Sequence, residues 1–265
     1  MPLRIGFDMD GVLADMEAEL VRQAEILFGR PMARRLERRA PEPNRAATPN
    51  AAAAVANSAS ETPPEPASQD QAAAETAPDN VPPLLRLNMT SRQQRRLWHH
   101  VESIDNFWQT LEETEPGVVA RLAAIATERR WEIIFLTKRP QSAGATAQVQ
   151  SQRWLESKGF TLPSVYVVQG SRGRIAAALG LDVVIDDRPE NCLDVVVDSK
   201  ARAILIWRDD ERQLPAAASR LGIGVVKTLG DCLDILTQAD AQDRESPRVI
   251  DRVKRLLGFK EPANA

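Results

Sequence analysis

Short apolar runs alternate with amphipathic stretches along most of the chain. Runs typical of buried strands cover residues 3–7, 131–137, 165–169, 182–185, 203–207 and 223–226. Between them, apolar residues at helical spacing predict helices over about 14–28, 91–101, 116–126, 143–158 and 173–179. Nearly continuous apolar strands that alternate with helices are typical of a parallel sheet covered on both faces. We therefore predict an α/β fold with a Rossmann-like, doubly wound parallel sheet.

One segment interrupts this pattern. Residues 40–83 hold 9 of the chain's 18 prolines and 14 alanines, but no Leu, Ile, Phe, Trp, Tyr, Met or Gly. A stretch with so little large apolar surface cannot offset the entropy cost of becoming ordered. We predict that it is a disordered insertion and that the rest of the 265-residue chain folds around one core with a small appended module.

Composition excludes several classes of protein. No apolar run approaches the roughly 20 residues of a membrane-spanning helix, so we expect no membrane association. The first residues show no apolar signal region and only Cys192 and Cys232 are available for pairing, which favours a cytoplasmic protein. The formal net charge of −3 argues against nucleic-acid binding on electrostatic grounds. The oligomeric state is not readable from the sequence.

Polar residues follow the predicted strands where the carboxyl ends of a parallel sheet meet. These residues are Asp8 and Asp10; Thr137, Lys138 and Arg139; residues 169–172; and Asp186 and Asp187. Ligands of open α/β sheets bind at this edge. Carboxylates that meet in one crevice repel one another unless a cation lies among them. The sequence therefore predicts a cation-binding site at this edge of the sheet.

These residue types suit phosphoryl transfer. Carboxylate oxygens are ligands that Mg²⁺ prefers, and the ion can neutralise both carboxylates and a phosphate. One aspartate can act as a nucleophile that forms an aspartyl-phosphate, and a second can act as general acid and base. Thr137 can donate to a phosphate oxygen, and Arg172 or Arg174 can stabilise the negative charge.

In this order, the four motifs resemble those of the haloacid dehalogenase superfamily of Mg²⁺-dependent phosphohydrolases. The resemblance implies that Asp8 in the segment DMDGV is the nucleophile and Asp10 the general acid and base. It implies that Thr137, at the end of IIFLT, is the second motif and that Arg172 stands where the family usually has a lysine. Arg174 is the neighbouring candidate for that third motif.

The same resemblance implies the metal ligands. In the family the ion is held by the nucleophile, by the backbone carbonyl of the second aspartate and by a carboxylate of the last motif. These positions correspond to Asp8, Asp10 and Asp186, with Asp187 as an outer or alternate ligand.

Further segments are similar to the 5′(3′)-deoxyribonucleotidase (5′-nucleotidase, C type) group, which carries a C1-type helical cap. They include DMDGVLAD, an FW pair before Glu-Pro-Gly, a TKRP turn and IDDRPEN. The implied organisation is a catalytic core of residues 1–14 and 131–240, a cap and return to the core of 15–39 and 84–130, the insertion 40–83, and a C-terminal helix and tail of 241–265. The implied substrate is a small phosphorylated molecule such as a (deoxy)nucleoside monophosphate.

Several alternatives stay open on the sequence alone. The substrate can also be a sugar phosphate or another small phosphate ester, and the chain can be a catalytically idle binding protein on the same scaffold. Lys138 and Arg139 either contact substrate phosphate or solvate a turn. Phe107 and Trp108 are candidates for cap core and, second, for stacking on a substrate base.

Overall fold

The computed structural model describes residues 2–29 and 89–243. The predicted insertion at 40–83 lies outside these residues, and so does nearly all of the predicted C-terminal helix and tail at 241–265. Every residue predicted for the site, from Asp8 to Asp187, falls within the described ranges.

Six parallel strands form one sheet in the order β3-β2-β1-β4-β5-β6. The strands are β1 Arg4–Asp8, β2 Glu132–Thr137, β3 Ser164–Val167, β4 Val183–Asp186, β5 Arg202–Ile206 and β6 Gly224–Val226. The chain runs outward from β1 to β3, returns to β4 and runs outward again to β6. This is the predicted doubly wound arrangement, and β1 and β4 lie side by side at its centre.

Eight α-helices belong to the described residues. They are α1 Met16–Phe28, α2 Ser91–Ser103, α3 Val118–Arg129, α4 Ala147–Ser157, α5 Arg172–Leu179, α6 Pro189–Asp198, α7 Ala216–Arg220 and α8 Leu229–Asp243. Short 3-10 helices cover Phe107–Gln109 and Glu211–Gln213. None of these helices is long and apolar enough to cross a membrane.

The sheet separates two apolar layers because successive strand residues point to opposite faces. Ile5 and Phe7 of β1 pack with side chains of α1 to α4 and α8, whereas Ile134 and Leu136 of β2 pack with α5, α6 and α7. The predicted alternation of helices over both faces is thus confirmed.

Two helix starts differ from the predicted ones. The spacing of Ser91 and Gln94 predicts a capping box with Ser91 as the N-cap of α2. The N-cap is instead Thr90, whose hydroxyl accepts from the Gln93 N–H while the Gln93 side chain accepts from the Thr90 N–H, and Ser91 is the first helical residue. Helix α3 begins at Val118 after Gly117, which adopts φ +79°, so Pro116 lies in the preceding turn.

Candidate active site

The carboxyl end of β1 carries Asp8 into the interior of the molecule. Its carboxylate is only 6% exposed and forms an ion pair with the guanidinium of Arg172, which opens α5. Burial raises the pKa of Asp8 well above its usual range, Arg172 opposes this shift, and Asp186 and Asp187 add to it.

Asp186 ends the neighbouring strand β4 and is fully buried. Its oxygens accept from the Asn191 side-chain amide at 3.0 Å each and from the Arg188 backbone N–H at 2.9 Å. Arg172 Nε lies 3.6 Å from Asp186 Oδ2. Burial raises the pKa of Asp186, and Arg172 and the amide of Asn191 oppose the rise. One guanidinium therefore lies between the carboxylates that end β1 and β4.

Asp187 approaches the loop after β1 from the other side. A Cβ at Gly11 would lie 2.0 Å from Asp187 Oδ2, and Gly11 has φ +86°, so only glycine fits there without displacing the carboxylate. Burial and the neighbouring Asp186 raise the pKa of Asp187 to about 7. The glycine of the DMDG segment thus lets this second acid reach the site.

Asp10 has two hydrogen-bonding partners. The Thr137 hydroxyl donates to Asp10 Oδ2 at 2.9 Å. Arg139 donates to the same carboxylate from Nε at 3.0 Å and from Nη2 at 2.7 Å. In this state Thr137 orients Asp10, although the sequence predicted that it would donate to a phosphate.

Arg139 is nearly as buried as the core, at 2% exposure. Its Nη1 donates to the Ser151 hydroxyl at 2.9 Å and its guanidinium lies 5.1 Å from the Trp108 ring centroid. Its burial contradicts the solvated-turn alternative, and its contacts position Asp10; Arg139 also lines the cavity above Asp8. Lys138 is partly exposed and lines the cavity above Asp8.

The two candidates for the third motif occupy opposite environments. The side chain of Arg172 is 2% exposed, whereas that of Arg174 is 85% exposed and lies 3.9 Å from Asp198 at the surface. Only Arg172 reaches the carboxylates.

Two polar groups of this cluster lack the hydrogen bonds that their burial calls for. Arg172 Nε and Nη1, and Asp187 Oδ1, are shielded from solvent and make no hydrogen bond to any residue that the structure describes. Buried donors and acceptors without partners are costly. The donors suit an anion such as phosphate, and the acceptor suits a cation.

The residues also fit a hard divalent cation by their chemistry. Asp8, Asp186 and Asp187 supply carboxylate oxygens. Burial raises the pKa of all three, and neighbouring acids add to the rise for Asp8 and Asp187, so a cation among them would stabilise the ionised carboxylates. Within the described ranges, no three His, Cys, Asp or Glu side chains already surround one point. The reason is that Arg172 stands between Asp8 and Asp186 and that Asp10 turns towards Arg139.

A cavity of about 500 Å³ opens above Asp8. Its walls include residues that the sequence reasoning did not select: Met16 and Leu20 of α1, Arg188, and Trp207, Arg208 and Pro215 beyond β5. Arg208 donates to the Gly11 carbonyl and lies 3.6 Å from Glu115. Trp207 and Arg208 follow a strand at the same sheet edge, so the rule that selected Asp8 and Asp186 could have found them.

The two aromatic candidates for substrate binding lie in the core. Phe107 and Trp108 are 0% exposed and pack edge to face with ring centroids 4.9 Å apart. Trp108 Nε1 donates to the Pro140 carbonyl at 3.0 Å, and its backbone N–H donates to Gln150 at 3.0 Å. Their placement supports the core alternative and gives neither ring a face for a substrate.

Comparisons with known proteins show likeness at the level of structure alone. No family of known sequences matches the chain, and no curated protein sequence matches it. A provisionally named beta-phosphoglucomutase from Thermotoga maritima has a TM-score of 0.47 at 15% identity, over 89% of this chain and 99% of that one. A hydrolase from Pseudomonas syringae has a TM-score of 0.44 at 17% identity, over 88% and 98%.

A third structure, a haloacid dehalogenase-like family hydrolase from Xanthomonas campestris, has a TM-score of 0.43 at 14% identity over 92% of this chain and 99% of that one. At such low identities and TM-scores, these likenesses carry no argument about the chemistry of this chain. The function proposed for this chain therefore rests on the residues of the site.

Proposed function

We propose that this chain is a haloacid dehalogenase-like phosphomonoester hydrolase that works through an aspartyl-phosphate on Asp8. The observation that carries the proposal is the buried cluster in which Asp8 meets Arg172, beside Asp186 and Asp187. A structural ion pair would have its polar groups satisfied, whereas this cluster retains unpartnered donors and an unpartnered acceptor among the described residues.

In the first half-reaction, a carboxylate oxygen of Asp8 forms a bond to phosphorus and the bond from phosphorus to the ester oxygen breaks. Arg172 balances the charge of Asp8 and offers Nη1, which has no hydrogen-bond partner among the described residues, to the oxygens of the phosphoryl group.

Asp10 supplies the proton transfers. It gives a proton to the leaving ester oxygen and later takes one from the water that attacks phosphorus, as the bond between phosphorus and the Asp8 oxygen breaks and inorganic phosphate leaves. Thr137 and Arg139 hold the Asp10 carboxylate in the structure. The acid role requires that Asp10 turn from Arg139 and Thr137 towards Asp8.

We further propose that the site takes Mg²⁺. The Asp8 carboxylate, the Asp10 backbone carbonyl and a carboxylate of Asp186 or Asp187 would hold it, and Asp187 Oδ1 is an acceptor without a partner among the described residues. When bound, the ion would neutralise carboxylate and phosphate charge.

The proposed cap is residues 15–39 and 84–130; its helices α1 and α2 pack together, and Met16 and Leu20 of α1 line the cavity above Asp8. A cavity of about 500 Å³ suits a small phosphate ester. A (deoxy)nucleoside monophosphate is our first candidate substrate, and a sugar phosphate is the second.

The test is phosphate release from a panel of nucleoside monophosphates, sugar phosphates and glycerol phosphate, with Mg²⁺ and with EDTA. We expect Mg²⁺-dependent release that Asp8→Asn abolishes. Asp234→Asn is the matched control, because Asp234 is 59% exposed and pairs with Arg121 far from the site.

Release by Asp8→Asn at the rate of the control would refute the nucleophile assignment. Release from sugar phosphates alone would move the substrate to the second candidate. No release from any ester would leave the chain as a binding protein on this scaffold.

A further inference from the structure

The cavity above Asp8 has an aromatic wall that the proposed chemistry does not use. Trp207 lies directly after β5, at the sheet edge that carries Asp8 and Asp186, and lines the cavity together with Pro189 and Pro215. Opposite stand Met16 and Leu20 of the proposed cap. The space next to the phosphate site is thus bounded partly by apolar groups.

Trp207 is anchored. Its backbone N–H donates to the Val226 carbonyl at 2.8 Å, its indole N–H donates to the Asp210 carbonyl at 3.1 Å, and its ring packs in part on the core layer beneath α5 to α7. The remaining part of the side chain is exposed. Because an anchored ring has little freedom left to lose, binding against it costs little conformational entropy.

The other tryptophans are too buried to contact a ligand in this cavity. Trp98, Trp108, Trp131 and Trp154 are 5%, 0%, 7% and 1% exposed. All five tryptophans of the chain lie in the described residues, and Trp207 alone among them is partly exposed and borders the cavity.

We infer that Trp207 is a specificity-determining residue that stacks on a planar ring carried by the alcohol part of the substrate. This inference rests on the proposed function, since it concerns the alcohol part of the same phosphate ester. A fixed aromatic face next to an apolar wall recognises flat rings by stacking, and a flexible polyol gains nothing comparable from it. Trp207 therefore favours phosphate esters whose alcohol part carries a flat aromatic ring over esters of flexible polyols.

The kinetic test compares nucleoside monophosphates with glycerol phosphate in Trp207→Ala, Trp207→Phe and Tyr166→Ala. We expect Trp207→Ala to lower kcat/KM about tenfold for the nucleotides, the size of one stacking contact, and to leave glycerol phosphate within about twofold. Trp207→Phe should recover most of the loss because it keeps an aromatic face. Tyr166, 45% exposed on β3 and outside this cavity, serves as the control and should change neither substrate.

A binding test needs no turnover. In Asp8→Asn, acrylamide quenching of tryptophan fluorescence reports mainly on Trp207, because the other four rings are buried. We expect nucleoside monophosphate with Mg²⁺ to reduce this quenching and glycerol phosphate with Mg²⁺ to leave it unchanged.

The outcomes separate this inference from the proposed function. Hydrolysis of nucleotides with equal losses for both substrate classes in Trp207→Ala, or with no protection from quenching, overturns the role of Trp207 and leaves the phosphatase intact. Protection by nucleotides without hydrolysis of any ester by the wild-type chain supports the aromatic wall and overturns the phosphatase.

Discussion

Replacing Arg172 with alanine is the sharpest perturbation of the proposed site. The guanidinium is 2% exposed and is the buried cation between Asp8, at 6% exposure, and Asp186, at 0%. Its removal leaves two buried carboxylates without a countercharge. Breaking a buried ion pair from one side typically costs about 3–5 kcal/mol. For a chain of this size, that corresponds to a Tm lower by about 10 °C.

The matched control is Arg174→Ala on the same helix. Its side chain is 85% exposed and 3.9 Å from Asp198, so its loss removes only an exposed surface pair and should cost at most a few tenths of a kcal/mol. Both substitutions introduce the same residue two positions apart, so helix propensity cancels between them.

Urea unfolding and thermal denaturation without metal measure the stability difference, and phosphate release measures the effect on catalysis. We expect Arg172→Ala to be strongly destabilised and inactive, and Arg174→Ala to resemble the wild type in both assays. Equal stability of the two variants would show that the buried pair is not formed in solution. Equal phosphate release by Arg172→Ala and Arg174→Ala would show that Arg172 has no role in catalysis and would refute its assignment to the third motif.

Two glycines give further predictions. Gly11→Ala should abolish the response of activity to Mg²⁺, because its Cβ would lie 2.0 Å from Asp187 Oδ2. Gly117→Ala is the control, because Gly117 has a similar φ of +79° and nothing lies within 4 Å of its Cβ; this variant should carry only a backbone strain of about 1–2 kcal/mol and stay active. Mg²⁺ titrations of phosphate release measure both effects. Gly173→Ala should lower the free energy of unfolding by at least about 2 kcal/mol in urea titrations, because its Cβ would lie 2.0 Å from the Asp194 carbonyl oxygen where α5 meets α6, and unchanged stability would contradict that close approach.

The sequence predicts the fold and the edge that holds the site because both depend on local patterns. Apolar runs bounded by polar residues define each strand, and the parallel arrangement puts Asp8, Thr137 and Asp186 at one edge. No distance between these residues is needed for that conclusion. It follows from where each strand ends.

The roles of individual side chains depend on contacts between distant residues and are not readable in this way. Arg172 and Arg174 are about 200° apart around a helix, but the small residues near them do not show which side faces the sheet. The burial of Trp108 depends on Pro140 and Gln150, which are 32 and 42 positions away in the chain. Likewise, Thr137 and Arg139 meet Asp10 across 127 and 129 positions.

The charges of the cluster explain how an arginine can stand where a lysine was expected. Arg172 pairs with Asp8 through Nη2, lies 3.6 Å from Asp186 with Nε, and has at Nη1 a donor without a hydrogen bond to a described residue. A lysine ammonium is a compact point charge and cannot spread its donors over two carboxylates and a phosphate in this way. The planar fork would therefore allow one residue both to hold the proposed nucleophile and to bind the phosphate.

The same charges indicate why one cation is not sufficient. Asp10 is paired with Arg139, so the balance concerns Asp8, Asp186 and Asp187 against Arg172 and the nearby Arg188. Three carboxylates beside two guanidinium groups leave an excess of negative charge in a site largely removed from water, where burial is the main cause of the raised pKa values of all three acids. A divalent cation would offset this excess and would leave positive charge for a phosphate. The pairing of a buried arginine with a carboxylate excess is thus the physical basis on which we expect Mg²⁺ and a phosphorylated substrate to bind together.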